Sequence, residues 1–287
     1  MISWTALFLI VSSACAQACY NFLVKQSSDK EHFQLLMFSV ALGTLTVTGA
    51  LSEILTLTPT LPLVVCAAGA ALFYFGYQRF LGRAYAQSDG DLSLIYPLSS
   101  TGTLYVPCWA YLFLSERVSA GSLCGIALTV VGIFFLSRQQ KKSTVIATDA
   151  IRYALIAAFF YSIGAIVEKY GVVVSDAATF TYWVMFFMWA YFLSWRKFKV
   201  RSDITVTCAR DSIVSVAVAA ISLTASFFLY RIALQEVPVS LAMGVRQVSA
   251  PCGVLIGCLV LRESYGVKRF LATMIIVLGI VATKVFS

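Results

Sequence analysis

Ten apolar runs fill this 287-residue chain and leave almost nothing between them: about 2–24, 33–55, 62–86, 92–115, 119–137, 151–172, 177–195, 209–235, 238–261 and 266–286. Runs of ~18–25 apolar residues are what a helix needs to cross ~30 Å of hydrocarbon. In lipid every backbone amide must be satisfied within its own segment, so such runs are helices. Charged residues make up 12% of the chain, against ~25% in soluble domains. The sequence therefore predicts an all-α membrane protein with ten transmembrane helices. The first run is not read as a removable signal, because it lacks a basic leader and its apolar stretch is too long.

The runs are also related to one another. Residues 86–133 and 233–280 superpose at a fixed offset of 147 without a gap. Identical pairs include Ala86/Ala233, Ser93/Ser240, Leu94/Leu241, Glu116/Glu263, Gly132/Gly279 and Ile133/Ile280. Five spans separate each position from its mate, and five is odd, so matched helices run in opposite directions through the membrane. Two inverted five-helix repeats are expected, 1–137 and 151–287, joined by a basic linker at 138–150. Inverted duplication is the plan of secondary transporters, whose substrate site lies between the halves.

Charge sets the orientation. Of the 21 Lys and Arg residues, 16 lie in or beside the odd-numbered connections, among them Arg79, Arg83, Arg152, Arg196 and Lys197. The other five are Arg117, Lys169, Arg231, Arg246 and Lys284. Basic connections stay cytoplasmic, so both termini are expected outside. The net charge of +8 is then a cytoplasmic rim facing anionic lipid, with no call for nucleic acid. Eight cysteines are scattered without a CxxC, and there is one histidine, His32. Cys15 and Cys19 share a helix face, but neither a metal site nor a cofactor is expected; buried cysteine is a small hydrophobe.

Candidate site residues are those that are expensive in lipid. Arg246 lies eight residues into the ninth run, ~12 Å along the axis, too deep for easy snorkelling. Glu168 falls late in the sixth run, in the same outer third as Arg231 and Arg246, so these three can cluster. In that reading Arg246 holds a substrate carboxylate or phosphate and Glu168 pairs with it or carries a proton; the alternative is a salt bridge that only ties two helices together. The polar residues Gln17, Asn21, Gln78, Ser99, Ser100 and Gln247 are expected near the centre, with Gln17 and Asn21 on one helix face. The repeat pairs Ser99 with Arg246 and Ser100 with Gln247, which puts both beside the twofold axis. Tyr74, Tyr77, Tyr96, Tyr105, Trp109, Tyr161, Tyr182, Trp183, Trp189 and Tyr230 lie within the runs and can supply aromatic walls, with Tyr77, Tyr96, Trp109, Tyr161 and Tyr182 as the site candidates. Such rings can stack on a flat substrate or cage a quaternary ammonium.

The repeated stretches GRAYAQSDGDLSLIYPLSSTGTLYVPCWAYLFLSERVSAGSLCGIALTVVGIFFL and YRIALQEVPVSLAMGVRQVSAPCGVLIGCLVLRESYGVKRFLATMIIVLGIV resemble the EamA repeat of the drug/metabolite transporter superfamily. The segment Tyr20-Asn21-Phe22-Leu23-Val24-Lys25 is similar to what such proteins carry at the end of their first helix. The resemblance implies a multi-pass protein of a bacterial-type inner membrane that moves a small polar or amphipathic metabolite, such as an amino acid, by alternating access. Export is the commoner role it implies. Uptake of a solute such as choline, and a lipid-linked carrier flippase, are the alternatives. Proton coupling and a homodimer are compatible with it; an enzyme is not expected. Ten-helix members that it resembles are usually drawn with both ends in the cytoplasm, opposite to the charge distribution here.

Within each repeat Gly121-x-x-x-Gly125 and Gly253-x-x-x-Gly257 offer small surfaces for close helix packing. Glu116 and Glu263, at turns, are expected to neutralise a neighbouring cation or to cap a helix. Pro97, Pro107, Pro238 and Pro251 are placed to bend the fourth and ninth helices.

Overall fold

The computed structural model describes residues 2–27, 29–52, 59–87, 98–137, 148–200, 212–252, 255 and 267–287. All regular structure among them is helical, in ten helices: α1 (Trp4–Gln26), α2 (Lys30–Ser52), α3 (Leu61–Gln87), α4 (Gly102–Leu114), α5 (Ala120–Ser137), α6 (Thr148–Val174), α7 (Ala177–Val200), α8 (Ile213–Glu236), α9 (Val239–Arg246) and α10 (Val267–Val285). Each falls in one of the ten apolar runs, in order. Six of them, α1, α2, α3, α6, α7 and α8, are long and apolar enough to cross a membrane, and α5 and α10 contain shorter apolar stretches, Ala120–Leu136 and Phe270–Val285.

Short polar residues start these helices by accepting their otherwise unpaired amides. Ser3 Oγ accepts from the Ala6 amide at 3.0 Å, Asp29 Oδ1 from His32 at 3.0 Å, Ser119 Oγ from Ser122 at 3.1 Å and Asp176 Oδ1 from Thr179 at 2.8 Å. The end of α4 is closed by Ser115 in the left-handed region (φ 55°), which lets the Glu116 amide reach back to the Ala110 carbonyl at 3.1 Å. At the end of α8, Lys169 Nζ donates to the carbonyls of Leu234 (2.5 Å) and Val237 (3.0 Å), neutralising the negative end of the helix.

Connections sort to two ends of the bundle. At one end Arg79 pairs with Glu31 at 2.7 Å and lies over the Trp195 ring, while Arg196 contacts His32. At the other, the Ile2 amide donates to Ser287 Oγ at 3.1 Å, Ser119 Oγ to the Phe286 carbonyl at 2.5 Å and Tyr170 to the Phe113 carbonyl at 2.5 Å. Both termini thus share an end with Ser119 and Tyr170, and Arg79 and Arg196 lie together at another.

The helix pairings include α3 with α6, α1 with α8, α5 with α10, α3 with α7, α4 with α6, α2 with α8, α2 with α7, α4 with α9 and α1 with α9. Adding five to each label, modulo ten, turns every pairing in this series into itself or another member. The α5–α10 pair meets through glycines. A Cβ on Gly125 would stand 2.5 Å from the Thr283 amide and 2.7 Å from the Gly279 carbonyl oxygen, and one on Gly279 would stand 2.6 Å from the Thr129 amide. The two glycines let backbone meet backbone, and a helix cannot yield there as a flexible side chain could. Gly125→Val is expected to cost ~3 kcal/mol or more, at the upper end of overpacking penalties, seen as a lowered melting temperature and aggregation in detergent. Gly253 and Gly257 lie outside the described residues.

Two spans loosen at matching places. Around Thr101 the bonding shifts from i−4 to i−3, with Thr101 N to Leu98 O at 3.3 Å and Leu104 N to Thr101 O at 2.8 Å. After α9 the same shift occurs: Gln247 N to Gly244 O at 3.3 Å, Val248 N to Val245 O at 3.1 Å and Ala250 N to Gln247 O at 3.0 Å. Thr101 and Val248 are mates at the offset of 147. Short i−3 turns inside a longer helix are a recurrent hinge geometry. The prolines flank these turns rather than sit in them: Pro107 lies within α4, Pro238 opens α9, and Pro97 lies outside the described residues.

Candidate functional site

Arg246 closes α9 where its helix gives way to the 247–248 turn, and only 7% of its surface is exposed. Its Nε donates to Gln17 Oε1 on α1 at 3.0 Å, and its guanidinium stacks on the Tyr230 ring of α8, 4.0 Å from the centroid. Tyr20, Tyr161, Tyr230 and Glu168 all lie within electrostatic reach of the guanidinium. Among the described residues the cation is thus held by the neutral amide of Gln17 and by Tyr230.

A second charge pair lies beside it. Arg231, fully buried, donates from Nε to Glu168 Oε1 at 2.8 Å. Glu168, 3% exposed, accepts on its other oxygen from the Tyr74 hydroxyl at 2.5 Å. The arrangement joins α8, α6 and α3. Arg231 Nη1 and Nη2 have no hydrogen-bond partner among the described residues, but the guanidinium is covered by the rings of Phe180 and Phe227, 5.1 and 5.0 Å away. The expected cluster of Glu168, Arg231 and Arg246 therefore forms with a different internal pairing: Glu168 is bonded to Arg231 and Tyr74, not to Arg246. The helix-tying salt bridge and the deep cation turn out to be neighbouring features.

Tyr161 joins the cluster from α6, 5.1 Å from the Tyr77 ring and 6.0 Å from the Tyr74 ring, with its hydroxyl 3.8 Å from Met243 Sδ. Gln247 is buried and donates to Thr103 Oγ1 of α4 at 2.6 Å, so the two loosened spans touch at their hinges. Ser99 and Ser100 are buried on the α4 side of that contact. Trp109 is tied to Ser162 of α6 at 3.1 Å and packs edge-on against Phe159.

Three expected residues are not brought to Arg246. Gln78 accepts from Gln34 at 2.9 Å, next in sequence to the Arg79–Glu31 pair at the basic end. Tyr182 faces Thr46, whose hydroxyl is 3.5 Å away, and packs on Trp183. Asn21 is exposed, although it shares a helix with Gln17. Tyr96 lies outside the described residues. Tyr74 and Tyr230, two of the expected aromatic residues, belong to the cluster, as do Tyr20 and Thr103, which were not singled out as binding residues. Spacing carried a signal for two of them: Tyr20 follows Gln17 by three residues, and Thr103 follows Ser100 by three, each on its partner's helix face.

Glu116 has a different role. Its carboxylate accepts from the Val239 amide at 2.9 Å and from the Ser240 amide and hydroxyl at 3.4 and 3.2 Å. It caps α9, far off in sequence, rather than the helix that follows it. Because α9 carries Arg246, the cap fixes the helix that presents the cation. Glu116→Ala is expected to lower stability by ~1 kcal/mol, the usual worth of an N-cap, while Glu116→Gln, which keeps one acceptor, loses less; chemical denaturation of the detergent-solubilised protein measures both. The repeat mate Glu263 lies outside the described residues.

No curated protein matches the chain. A solved structure described only as "Crystal structure of protein" is similar over 100% of both chains, with a TM-score of 0.82 and 14% sequence identity, a likeness of fold alone. The model of the EamA-like transporter family matches residues 149–284, from the start of α6 nearly to the end of α10. A multi-pass helical membrane protein with charged groups gathered where its helices meet fits that match, which covers the second half of the chain.

Proposed function

We propose that this transporter carries a small amphipathic metabolite bearing a carboxylate or phosphate, such as an amino acid, and that the anionic group docks on Arg246. The observation that carries this is a charge imbalance. Among the described residues the buried cluster holds two guanidinium groups and one carboxylate, and Glu168 is bonded to Arg231. Arg246 is left with an amide and an aromatic face. A buried charge is costly unless paired, and a cargo that brings the missing negative charge removes that cost on binding. Tyr20, Tyr161 and Tyr77 offer the rest of the cargo an apolar wall with polar tips.

Alternating access by two inverted halves, 1–137 and 151–287, is supported by the pairing pattern of the helices and by the matched hinges at Thr101 and Val248. The Gln247–Thr103 bond joins those hinges, so rocking one half on the other strains the site first. Clustering of the arginine-rich connections at one end supports the orientation with both termini outside. Export remains the favoured direction. The surplus positive charge works against a quaternary-amine cargo such as choline. A lipid-linked carrier with a phosphate is the second reading, since it would satisfy the same arginine.

A thermal-shift screen of purified protein against zwitterionic and aromatic amino acids, phosphorylated metabolites, a polyprenyl phosphate and quaternary amines tests this. A ligand of the folded state at a hundred times its Kd stabilises by ~2.7 kcal/mol. Stabilisation by a carboxylate or phosphate compound is expected. Stabilisation by quaternary amines alone would refute the proposal, and by the polyprenyl phosphate alone would favour the second reading.

A further inference from the structure

The Gln17–Arg246 bond ties α1 to the ninth span. Two residues before Gln17, Cys15 Sγ lies 3.2 Å from Cys252 Sγ, closer than ~3.6 Å, the usual contact of two sulfur atoms, with no room for an atom between them. Cys252 lies beyond the 247–248 turn in the short helical continuation of the ninth span, six residues after Arg246. The two contacts therefore straddle the hinge: one joins α1 to the segment before it, the other to the segment after it. Cys15 is exposed on the helix surface and Cys252 half-buried, so the pair is reachable by a small membrane-permeant reagent. Packing alone would be served by alanine or serine; two facing thiols bring a chemistry those residues lack.

We propose that Cys15 and Cys252 form a redox-closable latch on this seam. A two-electron oxidant, a diazenedicarboxamide in the test below, is attacked at its N=N bond by one thiolate. The second thiolate displaces the reduced reagent from that sulfur, leaving one S–S bond. Two electrons and two protons leave the thiols, and the azo compound departs as its hydrazine. A sulfur–sulfur bond is ~2.05 Å long, so closure asks for an approach of little more than an ångström. The bond pins the segment after the hinge to α1, and the hinge can then no longer swing Arg246 away from Gln17. The latch rests on the geometry of the seam and is independent of what the cargo is.

The test uses the full chain in detergent, reduced and then exposed to diamide, with two readouts. Peptide mass mapping is expected to find a Cys15–Cys252 disulfide in wild type and neither in Cys15→Ser nor in Cys252→Ser. The rate at which phenylglyoxal modifies Arg246 is expected to fall at least tenfold after oxidation, to recover with dithiothreitol, and to be untouched by diamide in either serine variant. Absence of the 15–252 peptide overturns the latch. So does a disulfide that forms yet leaves Arg246 labelling unchanged, since the seam would then not govern access to the site.

Discussion

Arg246→Ala is expected to abolish binding of the anionic cargo while leaving the empty protein nearly as stable as wild type. Truncating one partner of a buried charge-assisted contact costs ~2–5 kcal/mol of binding, a loss of roughly 30- to 4,000-fold in Kd. Transport in proteoliposomes should therefore fall to background at micromolar substrate. The empty protein escapes the usual penalty because the alanine removes a cation that has no carboxylate of its own among the described residues; what is lost there is the bond to Gln17 and the contact with Tyr230. Arg246→Lys keeps the charge but loses the planar fork that stacks and bonds at once, so partial binding with a weaker affinity is expected. Thermal shift with and without ligand separates the two effects. A variant that melts far below wild type when empty would show that Arg246 holds the fold together.

Glu168→Gln should behave in the opposite way. It leaves Arg231, fully buried, facing a neutral amide, with two nitrogens already lacking hydrogen-bond partners among the described residues. Breaking a buried ion pair by removing one partner costs ~3–5 kcal/mol, enough to unfold a marginal protein. The damage is expected to be reversed in the double variant Glu168→Gln, Arg231→Met, because replacing both charges by groups of similar volume is often neutral. Denaturation of the two single variants and the double gives the coupling directly. Additive effects, with no rescue, would mean that the 2.8 Å contact is not an energetic pair. The contrast between Arg246 and Glu168 separates the two neighbouring charge features: one is built for a visitor, the other holds the helices that frame it.

How much of this was legible beforehand follows from what a sequence encodes. Depth in a membrane is written in hydropathy, so all ten described helices fall in the expected runs. Depth also put Glu168, Arg231 and Arg246 at one level. Azimuth is not written there. Gln78 and Tyr77 are neighbours in α3, and a helix turns 100° per residue, so one reaches Tyr161 while the other bonds Gln34. The same blindness left open which arginine Glu168 pairs with. Tyr74 is 94 residues from the carboxylate it bonds, and nothing local announces that meeting. Glu116 was readable as a cap but not as a cap on a helix 123 residues away. The internal repeat saw further than periodicity could, because pairing Ser99 with Arg246 and Ser100 with Gln247 pointed to the two hinge turns and the residues beside them.

The most direct test of the central claim is a structure of the protein with the strongest stabilising compound of the thermal-shift screen. The account predicts its carboxylate or phosphate within hydrogen-bonding distance of the Arg246 guanidinium, its apolar portion against Tyr20, Tyr77 and Tyr161, and the Glu168–Arg231 pair intact. A ligand seated elsewhere, or one whose anionic group takes Glu168's place on Arg231, would contradict it.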